Sequence, residues 1–521
     1  MSALQITTVP APVGGLNAFD SLLGMPETDA ISLINLVPQA YGLQLRLGYE
    51  EHVIGMPADV RTLAVYNGQD GISTMLAWSG TELYNATTQG TVGAPLLTGL
   101  STSIWFTTGM ANSGGTQLVA FSGSDDGILY NSTGVHRLVL GDGIVVNTWK
   151  NVDPKTLSVC TVHQRRLWAA EEGTCFGWYL PPNQVYGEAT LFDFGPLFKR
   201  GGSIAGLTTW TVDDGDGADD HLVIASTEGE VAVYKGTDPN GASTWSLQGV
   251  YFMGPPVTGH RFYEKVAGDV KFITQQGLVS LNDMLTSTKT TPAQGTVESR
   301  KVQQPLSEAA TALGSLQGWQ LYFAPDLNLL FVNIPSVTTL GPVQFVENIV
   351  NSAWCEFQGY KASCWVTFDG KHYFGDANGR VLQAWKGNVD DVQLSDPTGT
   401  YIAGACQQAY TYFGKPAAQK QVGIYRPNFV VTADAQYGSS IAYDFSFQIA
   451  SVSTIPTEST TALWDIALWD HSLWSGALKT QRDWNSAQGI GVAASLTMAV
   501  RSKAELLWVS TDYTYNSGGP L

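Results

Sequence analysis

The sequence predicts an all-β fold, a β-propeller with an additional β-rich domain or extension, and two hairpins carry this prediction. In the first, an apolar run at residues 222–226 is followed by the turn Thr227-Glu228-Gly229-Glu230 and an alternating run at residues 231–235. The second repeats the pattern on either side of Gln275-Gln276-Gly277. Glycine-bearing turns between β-branched runs are typical of β-hairpins. Their return after about 40–50 residues indicates a circular repeat architecture.

The composition favours the same class. The chain has 521 residues, of which 44% are hydrophobic and 14% charged. An ordinary soluble domain carries about 25% charged residues, so the polarity here comes largely from its 56 glycines and its many Ser and Thr residues. A chain of this kind is expected to be globular and built from short strands joined by tight turns.

Residues 1–55 are predicted to form an N-terminal arm with a short helix. Residues 30–36, AISLINL, are the best short helical pattern in the chain, with Thr28 or Asp29 as a cap and Pro38 as a stop. Residues 41–49 alternate as a strand that places Leu43 and Leu45 on one face.

Residues 56–390 are predicted to form the β-propeller, with six to eight blades. The pattern of apolar strand, glycine turn and strand recurs about every 35–60 residues, close to the length of a propeller blade. It occurs at residues 76–84, 118–130, 166–178, 222–235, 270–281, 328–357 and 364–385. Radial closure protects the edges of short strands. A pair of β-sandwiches is the structural alternative.

Residues 391–521 are predicted to form a separate C-terminal β-rich domain or extension. Within it, Trp464, Trp469 and Trp474 follow one another at intervals of five residues. An interval of five fits neither a helix nor a strand, so we expect a loop that displays aromatic rings. These three residues are candidates for contact with a partner.

The formal net charge of −18 argues against a surface that grips nucleic acid. Affinity for phosphates comes from Lys and Arg side chains that neutralise the backbone. The charge is compatible with DNA that must slide past without sticking, but solubility alone is the explanation that the charge favours.

The five cysteines lie far apart and form no C-x-x-C pair. This pattern predicts buried thiols in a reducing cell, without a disulfide framework or a zinc site. The N-terminal residues carry no secretory signal, and no apolar run is long enough to span a bilayer. We therefore expect synthesis in the cytoplasm and no membrane anchor.

Motifs for catalysis, cofactors and metals are missing from the sequence. There is no P-loop, no H-E-x-x-H, no G-x-S-x-G and no dinucleotide fingerprint. His163 is expected to be structural. Residues 213–220, DDGDGADD, resemble a calcium loop in composition, but Ala218 and Ala225 stand where ligand oxygens are needed. We expect no enzyme activity, no cofactor and no metal site.

Several stretches together resemble the tail nozzle proteins of short-tailed bacteriophages, also described as DNA-stabilisation proteins. The resemblance covers about residues 14–390 and depends on the order of its motifs. These are Gly14-Gly15-Leu16-Asn17 with Met25-Pro26, Asn35-Leu36-Val37-Pro38, LRLGY at 45–49, RLWAA at 166–170, DHLVI at 220–224, GEVAVYKGTDP at 229–239, TQQGL at 274–278 and ASCWVTFDGKHYFGDANG at 362–379.

The resemblance implies a structural virion protein without enzyme activity. Such proteins form a hexameric ring of β-propeller subunits beneath the portal and adaptor rings, and tail fibres or spikes dock at the side. The ring closes the tail channel, retains the packaged DNA and opens for genome ejection. A negative channel wall would keep DNA mobile. The loops at residues 122–127 and 213–220 are candidates for a constriction.

Two other functions stay open on the sequence. The 16 tryptophans and the Gly-Asp turns are compatible with a carbohydrate-binding or carbohydrate-active propeller. A connector subunit elsewhere in a tail or baseplate would have the same sequence features as a nozzle subunit.

Overall fold

Seven β-sheets follow one another around a closed ring in the computed structural model of the chain. The structure describes residues 4–213, 218–241, 243–286, 299–335, 344–447 and 478–520. We number the sheets in chain order, and the first strand of each sheet contacts the sheets on both sides. The β-propeller predicted from the hairpins is therefore confirmed.

Sheets 1 to 4 occupy the first half of the ring. Sheet 1 contains Val60–Asn67, Ser73–Ser79 and Glu82–Asn85. Sheet 2 contains Phe106–Asn112, Gly115–Phe121, Gly127–Asn131, Gly134–Leu140, Thr148–Lys150 and Gly187–Glu188. Sheet 3 contains Leu157–His163, Arg166–Glu171, Phe176–Tyr179 and Thr190–Asp193. Sheet 4 contains Ile204–Asp213, Ala218–Ser226, Glu230–Gly236 and Trp245–Phe252.

Sheets 5 to 7 complete the ring. Sheet 5 contains Tyr263–Val266, Asp269–Thr274 and Gly277–Ser280. The ring part of sheet 6 contains Gln320–Ala324, Leu329–Asn333, Gln344–Asn348 and Ala353–Phe357. Sheet 7 contains Cys364–Phe368, Lys371–Gly375, Val381–Ala384, Tyr49–Ile54 and Gly90–Thr91.

Five of the sheets are full blades with four or more strands, and sheets 1 and 5 have three strands each. Each hairpin predicted from the sequence lies in a different sheet of the ring. In sheet 4, Val223 lies opposite Val233 as the alternation requires. Gly229, in the turn between them, has φ +84°, and a Cβ there would lie 2.2 Å from the carbonyl carbon of Gly254. Only glycine fits this position.

The ring is closed by a strand from the N-terminal region. Tyr49–Ile54 pairs antiparallel with Val381–Ala384, with Val53 opposite Val381 and Tyr49 opposite Ala384. Sheet 7 thus combines the beginning and the end of the propeller segment. Radial closure of this kind leaves only short, protected edges on the blades.

A second layer is built from both ends of the chain. Sheet 6 continues beyond the ring through Asp29–Ile34, Thr400–Gln408, Ala494–Ser502 and Gln436–Tyr443, with Gly15–Leu16 and Val389–Asp390 at its side. Sheet 8 contains Lys479–Arg482, Ala418–Val431, Leu506–Pro520, Gly42–Leu45 and Leu36–Gln39, together with Gln5–Pro10 and Asn485–Ser486.

Sheet 8 packs on the continued part of sheet 6 and forms a β-sandwich. The Phe429 and Tyr437 rings lie 5.0 Å apart between the two sheets. The Tyr425 hydroxyl lies 3.0 Å from the Ser439 hydroxyl. Residues from the N-terminal arm and the C-terminal extension share this core.

The predicted helix at residues 30–36 is wrong. Asp29–Ile34 is a strand, and its residues Leu33 and Ile34 pair with Cys406 and Ala405. The local pattern carries the apolar residues of a buried strand, and its partner lies far away in the sequence. Among the described residues, the α-helices are Leu281–Thr286 and Gln303–Leu313, and the 3-10 helices are Pro154–Thr156, Gly195–Leu197 and Arg300–Val302.

Candidate functional site at the centre of the ring

A cavity of about 680 Å³ opens at the centre of the ring, at the end where the first strands of the sheets begin. Segments from six of the seven sheets line it, because the strand starts converge on the ring axis. The charged residues in its wall are Asp59, Arg61, Glu172, His260, Arg261 and Lys361. This convergence makes the cavity the candidate functional site of the propeller.

Arg261 crosses the axis of the ring. It lies just before the first strand of sheet 5, and its Nη1 donates to the Arg61 carbonyl oxygen at 2.8 Å. Its Nη2 donates to Thr62 Oγ1 at 2.6 Å and to the Trp105 carbonyl oxygen at 3.0 Å. These acceptors belong to sheets 1 and 2, which are not neighbours of sheet 5 in the ring. The Arg261 side chain therefore spans the central opening.

Burial affects the Arg261 guanidinium. Removal of water lowers the pKa of Arg261 from its ordinary value, and the neighbouring Cys364 thiol partly opposes this effect. A guanidinium has an ordinary pKa above about 12 and stays charged in proteins. Arg261 is consequently a permanent positive charge at the cavity floor.

Apolar and sulfur-bearing side chains fill the ring axis next to Arg261. The Tyr263 ring lies 6.1 Å from the Phe106 ring, and these residues belong to the non-neighbouring sheets 5 and 2. The Tyr263 hydroxyl donates to the Leu207 carbonyl oxygen at 2.8 Å. Cys160 Sγ lies 3.8 Å from the Phe106 carbonyl oxygen. These contacts fill the centre of the ring at this level.

His260 and Glu172 form an ion pair at the wall of the cavity. His260 Nδ1 lies 2.7 Å from the Ala205 carbonyl oxygen, and its Nε2 lies 3.4 Å from Glu172 Oε2. Both ring nitrogens therefore lie near oxygen atoms. The hydrogen bond with His260 lowers the pKa of the Glu172 carboxyl to about 2, although desolvation acts in the opposite direction.

Asp59 and Arg61 form the second ion pair of the cavity. Arg61 Nε lies 2.9 Å from Asp59 Oδ2. Asp59 Oδ1 is buried and has no hydrogen-bond partner among the described residues. The pair uses Nε, so the two terminal nitrogens of Arg61 are not engaged by Asp59.

The cavity is thus positive in an acidic protein. Its wall contains three Lys or Arg residues and two carboxylates, with His260 in addition, whereas the whole chain carries a formal charge of −18. Local charge of this sign attracts anions.

A hydrogen-bonded group of polar side chains, the polar relay, lies at the other end of the first strands, and the sequence did not predict it. The Tyr322 hydroxyl lies 2.6 Å from His372 Nδ1, and His372 Nε2 lies 3.0 Å from Asp326 Oδ1. Burial raises the pKa of Tyr322 above its ordinary range, so the hydroxyl is a poor proton donor. The relay joins sheets 6 and 7 through these polar contacts. Its members are too far apart in sequence for a local motif.

Apart from Ser122 and Ser124, the other residues singled out from the sequence lie away from the cavity or outside the described structure. Trp464, Trp469 and Trp474, the candidate partner contacts, lie outside the described residues, as do residues 214–217 of the loop at 213–220. Of the candidate constriction loop at 122–127, Ser122 and Ser124 line the cavity. His163 is buried, and its Nε2 lies 3.1 Å from the Gly236 carbonyl oxygen.

The five cysteines are free thiols. Cys160, Cys355, Cys364 and Cys406 are buried, and Cys175 is half-buried. Across the described ranges, no group of three or more His, Cys, Asp or Glu side chains is placed to hold a metal ion. Within the same ranges, no helix has the length and apolar character needed to cross a membrane.

No protein-family model and no curated protein sequence match the chain. Solved structures resemble it at low identity. BBS1N in complex with ARL6DN has a TM-score of 0.40 at 12% identity, over 66% of this chain and 99% of that one. The Cps50 (Swd1) β-propeller domain of Myceliophteria thermophila gives 0.37 at 11%, over 66% and 99%. BamB from Moraxella catarrhalis gives 0.32 at 12%, over 67% and 95%.

Proposed function

We propose that the chain is a tail nozzle subunit of a short-tailed bacteriophage. The observation that carries the proposal is the ordered series of motifs that resembles this family. Most of that series lies in the ring. RLWAA is in a strand of sheet 3, GEVAVYKG follows the hairpin turn of sheet 4, and the motif at 362–379 spans the central hairpin of sheet 7.

The filled centre of the ring supports a role as a rigid building block. Arg261, Tyr263 and Phe106 occupy the axis, so a DNA duplex has no path through a single subunit. A channel for the genome then runs between subunits of a larger ring. In this proposal the ring is a hexamer beneath the portal and adaptor rings, with tail fibres or spikes at its side.

The charge of the chain supports passage of DNA without binding. A formal charge of −18 repels phosphates wherever acidic residues face the channel. The subunit then works by assembly and gating, and it retains the packaged genome by closing the channel mechanically.

Immunogold labelling of particles from the source lysate tests the proposal. We expect gold at the distal end of a short tail when the antibody recognises this chain. Gold at another position of the particle would favour a different tail or baseplate connector. Gold absent from all particles would overturn the virion function, and a glycan array would then test the carbohydrate-binding alternative.

Co-assembly provides an independent measurement. Recombinant chain mixed with a purified portal–adaptor complex is expected to add a ring of density at the adaptor end in electron micrographs. A portal complex without its adaptor is the matched control, and it should leave the chain unbound. Equal binding to both samples would contradict a position beneath the adaptor.

A further inference from the structure

The central cavity holds two cations that no carboxylate neutralises among the described residues. Asp59 is paired with Arg61, and Glu172 is paired with His260. Arg261 and Lys361 form no ion pair with any residue of the described ranges, although both line the cavity.

Arg261 has a particular need for a negative partner. Its three observed hydrogen bonds go to two backbone carbonyl oxygens and one hydroxyl. Neutral acceptors satisfy the N–H groups but leave the charge uncompensated in a partly desolvated place. Burial of a charge without a counter-charge is unfavourable, so an anion that enters the cavity gains from this arrangement.

The remaining wall suits a small molecule with a polar and an apolar part. Ser122 and Ser124 supply hydroxyl groups on one side, and Trp105, Leu316 and Trp319 supply apolar surface. The volume of about 680 Å³ lies within the range of ligand pockets, about 300–1,000 Å³. The mouth is reached from solvent, since Lys361 is exposed at its rim.

We propose that the central cavity is a binding site for a small oxyanion, a carboxylate or phosphate group on a molecule of metabolite size. Arg261 supplies the fixed charge at the floor, Lys361 supplies a second charge at the rim, and the free nitrogens of Arg61 supply directed hydrogen bonds. This site does not depend on the proposed place of the chain in a virus particle.

Binding is tested on the full-length recombinant chain with two probes, inorganic phosphate and citrate. Each is titrated at constant ionic strength set by sodium chloride, with the melting temperature and the heat of binding as readouts. We expect a saturable rise in melting temperature with at least one probe. A response to phosphate alone identifies a phosphate site, and a response to citrate alone identifies a carboxylate site.

Substitutions locate the site. Lys361→Gln and Arg61→Gln are expected to raise the Kd at least about tenfold, the loss typical of a hydrogen bond to a charged group. Lys150→Gln is the matched control, since Lys150 pairs with Glu188 at an exposed place outside the cavity, and it should bind like the wild type. Arg261 is left intact because its hydrogen bonds stabilise the ring.

Two results would overturn the proposal. In the first, neither phosphate nor citrate raises the melting temperature above the chloride reference. In the second, the anions stabilise the wild type but Lys361→Gln and Arg61→Gln respond equally, which would place binding elsewhere on the surface.

Discussion

Arg46 and Asp390 form a bidentate ion pair, with Arg46 Nη1 2.7 Å from Asp390 Oδ1 and Nη2 2.6 Å from Oδ2. Arg46 also donates to Asn35 Oδ1 at 2.9 Å and to the Gln358 carbonyl oxygen at 2.7 Å. Its guanidinium lies 4.4 Å from the centre of the Tyr360 ring. One side chain thus connects the N-terminal strands, the end of blade sheet 6 and the start of the C-terminal segment.

Removal of the charge at Asp390 is expected to destabilise the protein strongly. Arg46 has a side-chain exposure of 1%, so Asp390→Asn leaves a buried cation without its counter-charge. The loss of a partner in a buried pair costs about 3–5 kcal/mol. Urea unfolding measures the change in midpoint. Glu188→Gln, in the exposed pair with Lys150, is the control and should cost under about 1 kcal/mol. Equal effects of the two variants would contradict the role given to Arg46.

Gly359 is expected to tolerate no side chain. Its φ is +112°, and a Cβ would lie 2.4 Å from Arg46 Nη2. Gly387, with φ +67°, has no atom within 4 Å of a Cβ. Gly387→Ala should therefore show only backbone strain, about 1–2 kcal/mol. Gly359→Ala adds the displacement of Arg46 and should lower the melting temperature considerably more. A smaller loss at Gly359 than at Gly387 would show that Arg46 moves freely.

We expect the ionisation of Glu264 to lower the stability of the protein as pH rises. Burial raises the pKa of the Glu264 carboxyl from 4.5 to about 7. The folded state then binds more protons than the unfolded state between these values, so stability falls as pH increases through this window. Glu264→Gln removes the effect and should stabilise the protein at pH 8 by at most about 3.5 kcal/mol, since one pKa unit corresponds to about 1.4 kcal/mol.

Unfolding midpoints of wild type and Glu264→Gln from pH 4 to pH 8 measure this difference. The two curves should meet near pH 4 and separate above it. Parallel curves over the whole range would show that Glu264 ionises as easily in the folded protein as in the unfolded chain.

For Glu172 we expect the opposite dependence on pH: its protonation lowers the stability of the protein as pH falls. The hydrogen bond with His260 lowers the pKa of Glu172 from 4.5 to about 2. Its stabilising effect is present above pH 4.5 and is lost as pH falls towards 2. The side chain of Glu172 is 51% exposed, so solvent screening limits the effect to under about 1 kcal/mol. Acid unfolding of Glu172→Gln should show a shallower slope between pH 5 and pH 2, and an unchanged slope would refute the pair.

Most of the propeller could be predicted from local sequence patterns. The alternation at Val231 and Val233 and the turn at Gly229 are complete within one hairpin, so the sequence contains all the information needed. Sheet closure by Tyr49–Ile54 was not predicted, because its partner strand lies more than three hundred residues away. The helix predicted at residues 30–36 was wrong for the same reason. The pairing of Asp29–Ile34 with Thr400–Gln408 overrides the local helical pattern.

The candidate site was almost invisible in the sequence. Arg61, Arg261 and Lys361 carry no motif, and each is an isolated cation beside a strand start. They come together because the ring brings the starts of different sheets to one axis. Which residues meet at the axis depends on the number and order of the sheets. Local sequence patterns predict the number of sheets only as a range of six to eight.

Arg261 also has a mechanical consequence. An open ring deforms most easily into an ellipse, because opposite sides move in and out without breaking the contacts between neighbours. Arg261 is hydrogen-bonded to Arg61, Thr62 and Trp105 on the far side of the ring. These bonds oppose the elliptical deformation. We therefore expect a force on one flank of the propeller to displace the whole body and to change its shape little.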